Sequence, residues 1–436
     1  MDKFSPFKTA IIVISIVIAV FALLVFSGKV PFLDSSTDTS ALSGEVVIWG
    51  TVPEQEMSAA MSTLAQSVKT YTVTYREVQQ QSFVLELVNS IANGTNPDLI
   101  IAPHDIILNQ YDKLNVIPYT SMTEADYKAT YVPSSEVFLR ANGIQALPIA
   151  IDPMVMYYNK DIAAKYGVIN PPASWDDVVK SAETMTEAGS VDGEFKLSVI
   201  PFGSYNNYKY AKDIIAAILE QFGTPLIART ASGLGVGLYD NDGVSNLNTI
   251  AKYMNDFSNP NLTTFTWSVR MPDAFEAFVS NRLAYYPAYM SDNRSIAAAN
   301  PRLQYDYAYL PQTPNTNRFF TSAKIIEISQ LTSSKNPLAA FNAMSIISQP
   351  SWTNAIAGYI GSPSARKDEL EAQSKTGTQY AVLSSKSAIA GKVMYDKAPI
   401  NSNNLVNQMF NDIVSNRYNI GEAVQNFLTA IAKIYK

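Results

Sequence analysis

Six residues have the types and positions needed to hold a polar molecule: Trp49, His104, Asp105, Asp152, Tyr205 and Tyr289. Trp49, the His104-Asp105 pair and Asp152 each stand at or just beyond the end of an apolar run, EVVIWG, DLIIAP and LPIAI respectively. A charge at such a point is costly unless it meets a ligand, a cation or hydrogen-bond donors. Each carboxylate can accept two hydroxyl hydrogen bonds. Tyr205 in PFGSYNNYKY and Tyr289 in LAYYPAYMSDNR add flat apolar bodies with polar tips. That combination suits a ring compound with C–H patches and many hydroxyls. Core packing is the competing role for Tyr205, Tyr289 and Trp49. A solvated loop tip competes for His104-Asp105.

Chemistry beyond binding is poorly supported. His104 is the one histidine, so a Ser-His-Asp triad would have to use it, and there is no cysteine for a thiolate nucleophile or metal site. Asp105 and Asp152 could form a glycosidase pair if their carboxyls lay about 5–9.5 Å apart. A sugar cleft places carboxylates in the same way without needing a tuned acid. Tyr285-Tyr286 with His104 would suit ferric ion by residue type, although strand alternation buries at least one of the two tyrosines. Gly233-Leu-Gly-Val-Gly237 lacks the lysine and the strand-then-helix setting of a phosphate loop. No cofactor is expected.

The elements that would carry these residues read as an α/β order. Glu45–Thr51 and Thr70–Val78 are strands with helices near 54–69 and 82–91, and Asp98–Ala102 is apolar enough for a parallel strand covered on both faces. Gln145–Asn159 reads as two short strands. Ser174-Trp-Asp-Asp177 caps a helix over 174–188, with Pro171-Pro172 stiffening its entry. Further helices are expected at 160–167, 207–222, 243–257, 272–281, 337–348, 351–357, 405–414 and 420–435. Strands are expected at 197–201, 283–287 and 319–328. An open sheet of this kind binds ligands beyond the carboxyl ends of its strands.

At 436 residues the chain exceeds one typical core, so two lobes are expected. Its 47% hydrophobic content and mean hydropathy near zero are those of a globular protein. A net charge of −6 without a Lys/Arg cluster argues against a nucleic-acid partner. Ala10–Phe26 is apolar but for Ser15 and follows Lys3 and Lys8, which predicts a short membrane span with the remainder exported. The run is longer than a usual signal core and Val25-Phe26-Ser27 is a weak cleavage site, which favours an anchor over a cleaved signal. Residues 30–44 read as a linker.

The stretch Gln145–Gly189 closely resembles the hinge region of bacterial extracellular solute-binding proteins of the maltose-binding type. It holds a Leu-Pro segment, Tyr158-Asn-Lys-Asp161, then Gly167 and Pro171-Pro172 before Ser174-Trp-Asp-Asp177. Phe275–Tyr285, Ser334–Phe341, Gly358–Pro363 and Gly421–Ala423 resemble further segments of that family in its order, although Asn281 stands where a glycine is usual. The resemblance implies a two-lobe, periplasmic-binding-protein-like α/β fold with a hinge and an interlobe cleft, here preceded by one transmembrane helix. Lobe one would be 45–150 and 325–375, and lobe two 151–324 and 376–436. It further implies a monomer that binds a small molecule, a sugar, and delivers it to ABC-transporter permease subunits. The ligand contacts would be Trp49, His104, Asp105, Asp152, Tyr205 and Tyr289. The family's usual lipid anchor needs a cysteine; Lys29 stands near its place. An exported glycosidase, or a binder of a peptide, polyamine or ferric ion, are the alternatives.

Overall fold

The computed structural model describes residues 42–188, 195–230, 233–238, 241–313 and 319–435. The expected amino-terminal span and most of the linker lie outside these. Among the described residues no helix is long and apolar enough to cross a membrane.

Strands β1 (Glu45–Gly50), β2 (Thr72–Glu77) and β3 (Leu99–Pro103) run parallel in the order β3-β1-β2, joined by helices α1 (Glu54–Ser67) and α2 (Phe83–Ala92). Period-two alternation sends Leu99 and Ile101 to one face with Val46, Ile48 and α1 residues Met57 and Leu64. Ile100 and Ala102 go to the other, with Trp49 and α2 residues Phe83 and Leu87. Helix α3 (His104–Asn109) starts directly where β3 ends.

The region expected as two short strands is one strand, β4 (Leu147–Asn159). Pro148 and Pro153 look like breakers in the sequence, yet each falls where a missing donor does least harm. Pro148 sits at a shift of register against β7 (Thr321–Gln330), and Pro153 is the last residue paired with that strand. From Met154 onward β4 pairs instead with β5 (Tyr285–Tyr289), and from Met156 also with β6 (Tyr305–Ala308). The result is an eight-stranded sheet ordered β5-β4-β7-β3-β1-β2, with β6 on β4 and β8 (Gly391–Val393) on β7. Strand β7 runs antiparallel to both β3 and β4 and joins what would otherwise be separate sheets.

Three apolar clusters follow this handover. Two cover the faces of the β1–β3 side and draw on residues 46–151 and 323–388. The largest draws on 154–310, Leu383 and 406–435. It includes α4 (Trp175–Met185), α5 (Ala211–Gln221), α6 (Asn241–Asp256), α7 (Asp292–Ala299), and the last two helices, α11 (Pro399–Val414) and α12 (Ile420–Ile434). Ser174 and Asp177 form the expected reciprocal cap on α4. Helices α8 (Pro337–Ile347) and α9 (Pro350–Ile360) cover the β1–β3 side, and α10 (Gln379–Ala390) leads into β8.

Candidate functional site

Asp152 stands one residue before β4 exchanges partners, and its register partner on β7 is Lys324. The backbone N–H of Ser291 donates to Asp152 Oδ1 at 3.0 Å, and the Ser291 hydroxyl donates to Oδ2 at 2.7 Å. Ser291 directly precedes α7, so one carboxylate pins the start of that helix to the joint in the sheet. Burial pushes the Asp152 pKa up to about 6, and the Ser291 hydrogen bonds and the Lys324 charge only partly offset it.

Around this joint gathers a group that sequence reasoning missed in part. The Lys324 ammonium lies 4.0 Å from the ring centre of Tyr289 and 5.4 Å from that of Tyr210. The two rings meet edge to face, 5.1 Å apart at 85°. Asp213 and Ser322 adjoin the Tyr289 hydroxyl, and Asp292 adjoins the Tyr210 hydroxyl. Burial raises the pKa of Tyr289, Tyr210 and Asp292. Lys324 makes no hydrogen bond or ion pair among the described residues, and Asp292 Oδ2 is buried without a hydrogen-bond partner. The Lys324 ammonium thus keeps its hydrogen-bond donors unused beside two phenol rings, with the Asp292 carboxylate at one of the phenol hydroxyls. The signal in the sequence was Lys324 itself, the lone charge in Phe319–Ile326.

The other expected contacts are placed as follows. His104 is buried, its Nε2 is 3.2 Å from Met394 O, and the Ile325 N–H donates to its Nδ1 at 3.4 Å. Burial holds the imidazole pKa below the usual range, with Lys324 adding to the effect. Both ring nitrogens are occupied, so His104 ties α3 to β7 and to the segment after β8. Asp105 is half-buried in the first turn of α3, and its Oδ1 accepts the Ile106 N–H at 3.0 Å. Trp49 is buried with the Arg76 guanidinium 4.5 Å over its ring. Tyr205 lies parallel to Phe410, ring centres 5.9 Å apart, and donates to Asn403 Oδ1 at 3.2 Å. The structure thus brings Asp152 and Tyr289 together around Lys324, with His104 close enough to feel its charge. Trp49 and Tyr205 are engaged by partners of their own.

Among the described residues no group of three or more His, Cys, Asp or Glu side chains has a metal-holding arrangement. Neutral phenols, a lysine and carboxylates are groups suited to reversible hydrogen bonding and stacking.

Residues 59–382 match the family described as bacterial extracellular solute-binding protein. The chain belongs to that family. A protein of Brucella abortus (strain 2308) described as a binding protein is 23% identical to this solute-binding protein over 314 residues, covering 69% of this chain and 70% of the relative. Among solved structures, the cyclic α-maltosyl-1,6-maltose binding protein of Arthrobacter globiformis superposes with a TM-score of 0.72 at 16% identity, covering 89% of this chain and 98% of that one. A receptor of Streptomyces glaucescens GLA.O, solved unliganded and with acarbose, gives a TM-score of 0.71 at 16% identity over 91% of this chain and 100% of its own. The Listeria monocytogenes ABC substrate-binding protein in complex with cycloalternan gives 0.70 at 15% identity, with 90% and 98% covered. These likenesses establish the fold shared by this solute-binding protein and two-lobe binding proteins.

Proposed function

We propose that this solute-binding protein captures a carbohydrate between two lobes and hands it to the permease of an ABC importer, without altering it. The lobes are 45–150 with 325–375 and 151–324 with 376–436. The chain works as a monomer outside the cytoplasmic membrane, tethered by Ala10–Phe26. Closure is hinged on β4 and β7, which both run from one core to the other. A solute that touches both sides biases the open–closed equilibrium toward closure.

One observation carries the reading: the Lys324 ammonium, which makes no hydrogen bond among the described residues, sits on the Tyr289 and Tyr210 rings with the Asp292 carboxylate at the Tyr210 hydroxyl, where β4 changes partners. Hydroxyls pair with both kinds of polar group, and sugar C–H faces stack on the rings. Asp105, Asp152, His104, Trp49 and Tyr205 complete the site as contacts or as supports for contacts. The structural neighbours named above were solved with cycloalternan and acarbose, which agrees with a saccharide. A ferric site on Tyr285-Tyr286 is disfavoured, since burial raises both phenol pKa values and so opposes the tyrosinate form.

A melting-temperature screen of the full chain tests the reading, because a ligand that binds only the folded state raises the midpoint by mass action. The panel holds neutral oligosaccharides, amino acids, polyamines and ferric iron. A rise with an oligosaccharide supports it. A rise confined to polyamines or iron overturns the solute class.

A further inference from the structure

Two aromatic faces at right angles, with carboxylates nearby, are what a bound ammonium group requires. Tyr289 and Tyr210 supply the faces, and Asp152, Asp213 and Asp292 supply the negative charge. In this chain the seat is filled from within by Lys324, and the exposed Lys209 ammonium lies 4.9 Å from the Tyr210 ring centre. The consequences for a solute differ by charge. A cationic solute meets a like charge at the place where the rings and carboxylates would hold it, in a partly desolvated site where repulsion is strong. An anionic solute meets three carboxylates. A neutral hydroxyl compound meets the Lys324 donors, which make no hydrogen bond among the described residues, and the Asp292 carboxylate beside the Tyr210 hydroxyl.

We propose that Lys324 is a specificity-determining residue, a built-in cation that occupies the aromatic seat and restricts the site to uncharged, hydroxyl-bearing solutes. This rests on the reading of the site given above and adds the charge class of its ligand and the residue that sets it. Lys324 works by occupying space and charge, so removing its charge opens the seat.

The test uses the full chain as wild type, K324R and K324M, titrated calorimetrically with tetramethylammonium, spermidine, galacturonate and maltotriose. K324M is expected to bind tetramethylammonium at least about fivefold more tightly than wild type and K324R. Adding Tyr289→Leu to K324M should abolish that gain. Galacturonate should be silent with wild type. A gain of less than fivefold in K324M, or an equal gain in K324R, overturns the proposal. Galacturonate bound by wild type overturns it as well. If K324M melts too low to titrate, K324Q replaces it, since it removes the charge and keeps a polar tip. Wild type silent toward maltotriose and every other neutral sugar overturns the carbohydrate reading and the neutral-solute half of this proposal. The tetramethylammonium comparison decides the part played by Lys324 independently.

Discussion

Arg294 of α7 forms an ion pair with Glu56 of α1 at 2.8 Å and also donates to the carbonyl of Tyr359 in α9. Helices α1 and α9 pack on a β1–β3 core, and α7 packs through Ile296 on the largest cluster, so this contact bridges the two sides of the molecule. Gly361, at φ +84° after α9, lies against the Arg294 side chain; a Cβ there would sit 3.2 Å from Arg294 Cδ. The pair is half exposed, so its worth is modest, about 0.2–1 kcal/mol. Arg294→Ala should therefore shift the open–closed ratio by roughly 1.4-fold to fivefold toward open. Small-angle scattering of the unliganded protein should then give a larger radius of gyration. An unchanged radius would separate this contact from closure.

Asp152 and pH are linked. Folding raises its pKa to about 6 from an unfolded value near 4. Between those pH values the folded chain binds the extra proton, so the Asp152 contribution to stability falls as pH rises from about 4 to about 6 and is level above that. Asp152→Asn should flatten this slope, which is on the order of 2–3 kcal/mol. Urea unfolding at several pH values between 4 and 7 measures it.

His104 acts in the opposite sense. Its folded pKa is depressed, so the unfolded chain takes up the proton first, and stability is lost as pH falls below about 6.5. His104→Gln removes that acid-side loss while costing about 1–3 kcal/mol at neutral pH through disturbed hydrogen bonds. Comparing its pH–stability curve with that of the Asp152 variant separates the two titrations.

Lys212 of α5 donates to Asp396 Oδ2 at 3.0 Å and to Ser402 Oγ at 3.0 Å, and Tyr435 donates to Asp396 Oδ1 at 2.8 Å. The ion pair is buried, with side-chain exposures of 9% and 4%. Lys212→Met strands the Asp396 charge and should destabilise by about 3–5 kcal/mol. The double variant with Asp396→Asn should recover part of that. Denaturant midpoints decide, and an unaffected midpoint in Lys212→Met would sink the argument.

Tyr205 and Tyr289 should part company. Tyr205→Phe loses one hydrogen bond to Asn403, costs about 0.5–1.5 kcal/mol of stability and leaves affinity for the retained sugar unchanged. Tyr289→Leu removes the ring under Lys324 and should weaken that affinity about tenfold or more. Equal losses of affinity in both would place the Tyr205 hydroxyl among the ligand contacts as well.

Much of the architecture could be read locally. The buried run Leu99–Pro103, the Ser174–Asp177 cap and the helices at Glu54–Ser67 and Ile420–Ile434 follow from patterns within one or two turns. Helix α10 was missed because Ser384, Ser385 and Ser387 point inward, which hides its buried face in a polar composition. The single strand β4 was missed because its two prolines announce a break that the change of partner strands makes harmless.

The order of strands and helices, the two-sided burial of β3 and the identity of the polar and aromatic candidates were decided by the amino-acid sequence alone. Alternation and capping act between near neighbours, so they can be read along the chain. The meeting of Lys324 with Tyr289, Tyr210, Asp152 and Asp292 was decided only by the tertiary structure. It depends on the register of β7 against β4 and on where α5 and α7 begin in space, and these are set by packing between segments far apart along the chain.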